Sequence, residues 1–146
     1  MEKVTYKQFG IHLKVKDVRK SLTFYKRLGF TEVFAYGSDK FLSQFAQKLP
    51  IAPEKYNGVT FSLGEAKLKI ADGHLAVKPH VFKEAITSSK VSAMLYVDSV
   101  DKVVKLAQGN GIPIAVPIRE FPWGTREVVI KDPDGFVLVF IESETR

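Results

Sequence analysis

Cysteine is missing altogether from the 146 residues, which excludes disulfides, thiolate metal sites and a cysteine nucleophile. A reducing cytosol suits such a chain. No stretch approaches the ~18 apolar residues a membrane helix needs, and Met1 to Gln8 is charged and polar, without the apolar core of a secretion signal. The expectation is a soluble cytoplasmic protein with no membrane partner. Acidic residues are also outnumbered, with 16 Asp and Glu against 22 Lys and Arg for a formal net charge of +6. Because the lysines are scattered rather than clustered, this positive field favours an anionic small molecule over nucleic acid, which wants a basic patch with stacking platforms. No Gly-rich phosphate loop opens a helix, and neither Ser21 nor Ser92 has an identifiable base and orienting acid.

What is present is enough for one domain, since 45% of the residues are hydrophobic and a chain of this size can build its own core. The most informative stretch lies near the C-terminus. Glu127 to Ile130 and Phe136 to Ile141 are rich in β-branched and aromatic residues and flank Asp132-Pro-Asp-Gly135, a turn sequence, so they read as a hairpin. The second run is apolar at every position and is expected inside a sheet.

From the start, Phe9 to Val15 alternates as a half-buried strand, Asp17 caps a helix carrying Val18, Leu22, Tyr25 and Leu28, and Gly29 stops it. A strand over Thr31 to Tyr36 follows. Lys40 to Leu49 places Phe41, Leu42, Phe45 and Leu49 on one helical face, either a lid or a helix packed on the core, with a loop from Pro50 to Gly58. Val59 to Leu63 and Ala66 to Ala71 form a hairpin through Gly64-Glu65. A linker over 75–90, with a short helix within 79–87, separates this module (9–74) from the next (91–142).

The opening pattern then returns at a fixed offset of 82, pairing Leu13 with Leu95, Asp17 with Ser99, Leu22 with Val104 and Gly29 with Gly111. The second module continues through strands at Ile112 to Val116, Glu127 to Ile130 and Phe136 to Ile141. Each half therefore has order βαβββ, and the fold class is α+β: two modules forming a curved mixed sheet, a cup. Alternation puts Gly10, His12, Lys14, Lys67, Lys69, Ser92, Met94, Tyr96, Val137 and Val139 on the face away from the helices.

Two βαβββ units, the stretch Lys16-Asp-Val-Arg-Lys-Ser-Leu-Thr-Phe-Tyr-Lys-Arg-Leu-Gly-Phe30, and the closing Pro-Trp-Gly-Thr-Arg-Glu with Asp-Pro-Asp-Gly together resemble the vicinal oxygen chelate superfamily of glyoxalase I, bleomycin-resistance proteins and extradiol dioxygenases. The resemblance covers roughly Phe9 to Glu142 and implies paired modules, commonly within a homodimer, but not by itself an enzyme. Metal-dependent members place ligands at positions that correspond here to Gly10, Lys69, Ser92 and Val139. A glycine, a lysine, a serine and a valine are no donor set for a divalent ion, so no metal and no other cofactor is expected.

The expected site is instead a small-molecule pocket. Met94 and Val139 supply an apolar floor, Tyr96 and Trp123 an aromatic wall, and His12, Lys14, Lys69, Ser92, Arg126 and Glu127 the orienting polar groups. Trp123 reads equally as a stacking wall or as a rim aromatic closing the core, and alternation leaves open whether Arg126 or Glu127 faces the ligand. Lys14 and Lys69 make this face basic, which favours a neutral or anionic guest over bleomycin. Two alternatives stand beside sequestration: a metal-dependent lyase, isomerase or dioxygenase with ligands relocated to His12 and Glu127, and a non-catalytic interaction module. His74 and His80 are the remaining histidines, read as solvated linker residues.

Overall fold

The computed structural model describes residue 3 and residues 5–45, 48–73 and 91–143. The chain divides into two compact units, Met1–Glu84 and Ala85–Arg146. The linker region over 75–90 with its short helix, His74 and His80 lie outside the described residues.

The first unit runs β1 (Gly10–Lys14), α1 (Val18–Arg27), β2 (Thr31–Gly37), α2 (Asp39–Leu42), β3 (Ile51–Pro53), β4 (Gly58–Leu63) and β5 (Ala66–Ala71). Its five strands form one mixed sheet in the order β1-β5-β4-β2-β3, with β1 parallel to β5 and β4 antiparallel to both neighbours. The second unit runs β6 (Ser92–Tyr96), α3 (Val100–Gly109), β7 (Val116–Phe121), β8 (Thr125–Lys131) and β9 (Val137–Ser143). Its sheet has the order β6-β9-β8-β7, so β9, apolar from Val137 to Ile141, is an interior strand paired on both sides.

The internal repeat extends to single hydrogen bonds. Asp17 accepts the Lys20 amide at 3.2 Å and Ser99 accepts the Lys102 amide at 3.2 Å, each satisfying an amide that the first helical turn leaves without a partner. At the other end Gly29 has φ 91 and Gly111 has φ 66. The next amides, Phe30 and Ile112, bond back to Tyr25 and Ala107 at 3.0 and 2.8 Å. This is a Schellman stop in both helices.

Each helix packs on one face of its own sheet. Tyr25, buried completely, sets its ring 5.7 Å from that of Phe61, with Leu68 and Ile70 buried beside them. In the second unit Val128, Ile130, Leu138 and Phe140 fill the corresponding face against Val100 and Ala107. These apolar faces are the cores.

Three expectations need correction. The helix expected over Lys40 to Leu49 ends at Leu42, after which Ser43 to Phe45, Lys48 and Leu49 follow no helix, residues 46–47 lying outside the described set. The loop from Pro50 to Gly58 contains an unexpected strand, β3, parallel to Ala35–Gly37, so the first unit has a fifth strand beyond the four expected. The strand expected at Ile112 to Val116 begins where it was expected to end, because Ile112 closes the Schellman stop and Pro113 has no amide hydrogen to give a ladder. Among the described residues no helix is long and apolar enough to cross a membrane.

Candidate functional site

In the first unit the face away from α1 is ordered by strand register. Gly10, His12 and Lys14 of β1 sit directly beside Lys67, Lys69 and Ala71 of β5. Lys69 in turn lies opposite Thr60, and Thr60 opposite Phe34. One rung therefore reads His12, Lys69, Thr60, Phe34, and the next reads Lys14, Ala71, Gly58, Tyr36. His12, Lys14 and Lys69 thus share one face.

Lys69 is half-buried and holds its ammonium 4.7 Å from the centre of the Tyr36 ring, a cation–π contact. Burial pushes its pKa down. Tyr36 lies over Gly58 and donates its hydroxyl to the Gly73 carbonyl at 3.0 Å. Burial, reinforced by the negative charges of Asp72 and Glu54, raises the phenol to about 12. The lysine therefore rests on a ring that stays neutral at any ordinary pH.

In the second unit Ser92, Met94 and Tyr96 of β6 stand beside Val137, Val139 and Ile141 of β9. Ile141 is opposite Glu127, and Glu127 opposite Arg119. Ser92, Met94, Tyr96, Val139 and Glu127 accordingly share a face, with Met94 65% and Tyr96 66% exposed. Glu127 Oε2 accepts the Thr125 hydroxyl at 2.7 Å.

Trp123 is 68% exposed in the β7–β8 turn and stacks on Phe121, centroids 4.7 Å apart at 15°. The Arg119 guanidinium covers the Phe121 ring at 5.5 Å. Trp123 belongs to an open stack and closes no core.

Arg126 does not join this face. Neighbouring residues of a strand point to opposite sides, and Arg126 lies with Val128 toward α3, where Nη1 donates to Asp101 at 2.8 Å and stands 3.6 Å from Glu142. Glu142 also accepts the Val100 amide at the start of α3. Arg126 is a clamp between helix and sheet, and Glu127 is the member of the pair on the face shared with Ser92, Met94 and Tyr96. Sequence reasoning missed Arg119, Thr60, Phe34 and Tyr36 as members of these faces. Thr60, Phe34 and Tyr36 were findable by carrying strand alternation across the sheet, whereas Arg119 sits on the strand whose position was misjudged.

A shallow depression of about 320 Å³ is lined by Asp39, Leu42, Ser43, Phe45, Ile51 and Pro53. It involves none of the site residues named above.

A metal is the group that the resemblance implies, and these residues do not fit one. The four corresponding positions are Gly10, Lys69, Ser92 and Val139, whose side chains offer no imidazole or carboxylate. Among the described residues no three His, Asp or Glu side chains gather closely enough to hold an ion.

A model of the Glyoxalase/Bleomycin resistance protein/Dioxygenase superfamily matches residues 8–140. No curated protein matches the chain. Among solved structures, a putative glyoxalase family protein from Bacillus anthracis is 14% identical with a TM-score of 0.63, covering 99% of this chain and 100% of that one. A variant of the fosfomycin resistance protein FosX from Listeria monocytogenes, solved with Mn(II) and 1S,2S-dihydroxypropylphosphonic acid, is 13% identical with a TM-score of 0.65, covering 99% and 95%. A glyoxalase/bleomycin resistance protein/dioxygenase from Alicyclobacillus acidocaldarius is 16% identical with a TM-score of 0.59, covering 93% and 90%. At such identities the structures speak for the fold. With nearly its whole length matched, its repeated units and its open sheet faces, the chain belongs to the Glyoxalase/Bleomycin resistance protein/Dioxygenase superfamily.

Proposed function

We propose that this protein binds a small neutral or anionic organic molecule without a metal, in the manner of a sequestering resistance protein rather than an enzyme. The observation that carries this reading is the Trp123–Phe121 stack, two parallel rings 4.7 Å apart with the outer one 68% exposed. An indole left in water at a sheet rim is available to a planar guest, and stacked aromatic pairs of this kind contribute roughly 0.5–1.5 kcal/mol beyond area burial. Met94 and Tyr96 extend the apolar surface, while Glu127, Arg119 and Ser92 offer polar contacts to orient a ligand.

FosX, the Listeria relative, was solved with Mn(II) and a phosphonic acid. Here the corresponding donors are absent, which favours holding a compound over activating one. Sequestration requires only differential affinity, whereas the metal chemistry of relatives requires donors that converge.

The test uses Trp123, the one tryptophan of the chain. Titrating a panel of planar aromatic acids, amides and antibiotics against its fluorescence is expected to give saturable quenching by at least one compound, whose calorimetric binding heat is lost in Trp123→Ala. A panel without effect would favour the interaction module. A stoichiometric transition metal in protein purified without chelator, lost with His12→Ala or Glu127→Ala, would favour the relocated metal site instead.

A further inference from the structure

The face of the first sheet that turns away from α1 carries three lysines, Lys14, Lys67 and Lys69, on two adjacent paired strands. Their companions across the sheet are Gly10, His12, Ala71, Thr60, Ser62, Gly58, Phe34 and Tyr36. No aspartate or glutamate stands at any of these positions. Of the acids around this sheet, Glu32 pairs with Lys26 of α1 at 3.3 Å, and Asp72, whose charge acts with that of Glu54 on the Tyr36 phenol, accepts the Asn57 amide at 2.9 Å. Among the described residues none of the three lysines forms an ion pair.

Like charges side by side on a sheet repel, and a half-buried ammonium resting on a ring has given up water without gaining a counterion among the described residues. Folding alone does not call for this. The second unit is an internal control, because its equivalent positions are Ser92, Met94 and Tyr96 beside Val137, Val139 and Ile141. The same paired strands stand there without a cation at the equivalent positions.

We propose that this face is a binding site for an organic carboxylate, whose oxyanion is held by the Lys69 ammonium, with Thr60 as a hydroxyl donor and Lys14 and Lys67 as flanking charges. The assignment rests on the reading of the chain as a small-molecule binder and concerns a face of the first unit by itself. A carboxylate placed against Lys69 supplies the missing counterion and relieves the repulsion from its neighbours, and Tyr36 fixes the amine from below. Neutral analogues of the same shape gain neither effect.

Calorimetric titration of the full chain with matched pairs of acid and amide, such as benzoate with benzamide and naphthoate with naphthamide, tests the assignment. At least one acid is expected to bind about tenfold or more tighter than its amide, the order of a single charge-assisted contact. Added salt should weaken the acid and leave the amide unchanged. Lys69→Met should bring the acid to the level of the amide, and Lys69→Arg should retain most of the difference, which separates lost charge from lost folding. Amides that bind as well as their acids, or acids indifferent to both salt and Lys69→Met, would overturn the oxyanion assignment and leave small-molecule binding standing. A panel in which no member binds, together with unchanged Trp123 fluorescence, would overturn both.

Discussion

Arg126 on β8 donates to Asp101 on α3 at 2.8 Å, so a side chain expected to meet a ligand joins a helix to its sheet. The hydrogen bond from Arg126 holds the Asp101 carboxyl below its usual pKa. A group depressed in the folded state contributes stability above its unfolded pKa of about 3.9 and loses it as pH falls through the folded value. Denaturant melts should therefore show Arg126→Ala less stable than the parent at neutral pH, with the gap closing in acid. Ligand affinity should not change.

The ring cluster of Tyr25, Phe30 and Phe61 is the centre of the first unit, and Phe61 is fully buried. Truncation there leaves a cavity that neighbours fill incompletely. Phe61→Ala should cost about 3–5 kcal/mol, measured as a lowered urea midpoint. A cost under about 1 kcal/mol would mean that the cluster is not the core.

Asp132 is 5% exposed, and its Oδ1 accepts the amides of Asp134 and Phe136 at 2.9 and 2.8 Å, shaping the turn into β9. Asp132→Ala strands two amides and should cost roughly 1–3 kcal/mol. Asp132→Asn keeps an acceptor oxygen and should recover most of that loss in the same thermal melt.

A methyl group at Gly58 would overlap the Tyr36 ring. Gly58→Ala should therefore displace the ring on which Lys69 rests, and weaken acid binding although residue 58 carries no charge. Ultraviolet titration should find a phenol ionising near 12 in the parent, removed by Tyr36→Phe. Because that pKa is raised on folding, the associated stability is complete below the ordinary tyrosine value of about 10 and falls as pH climbs toward 12.

Trp123, at 68% exposure, contributes little to the fold. Its replacement by alanine should alter unfolding free energy by no more than about 0.5 kcal/mol while abolishing the calorimetric binding heat of the compound that quenches the parent. A large loss of stability would mark it as a packing residue after all.

The periodic and capped parts of the chain were legible beforehand, since a helix with an apolar stripe, an Asp or Ser cap and a glycine stop writes its pattern in one dimension. The hairpin around Asp132 to Gly135 and the repeat with offset 82 were readable for the same reason. Other features depend on neighbours distant in sequence. Ile51-Ala-Pro53 is too short to alternate, and it is a strand only because Ala35–Gly37 lies beside it. Val116 to Phe121 is a largely exposed edge containing a proline and a register shift, so its composition hides its role, while Ile112 looks like strand and serves a helix stop. Strand alternation alone could not choose between Arg126 and Glu127. Pairing with β9 did, by placing Glu127 opposite Ile141.

The outermost strand of each sheet on the side of β2 and β7 carries a proline: Pro53 in β3 and Pro117 in β7. A proline presents no amide hydrogen to an incoming chain, and a register shift further spoils the template along β7. Those rims should resist fibrillar growth even at high protein concentration. The opposite edge strands, β1 and β6, contain no proline, so whatever guards them against strand addition is not a missing amide.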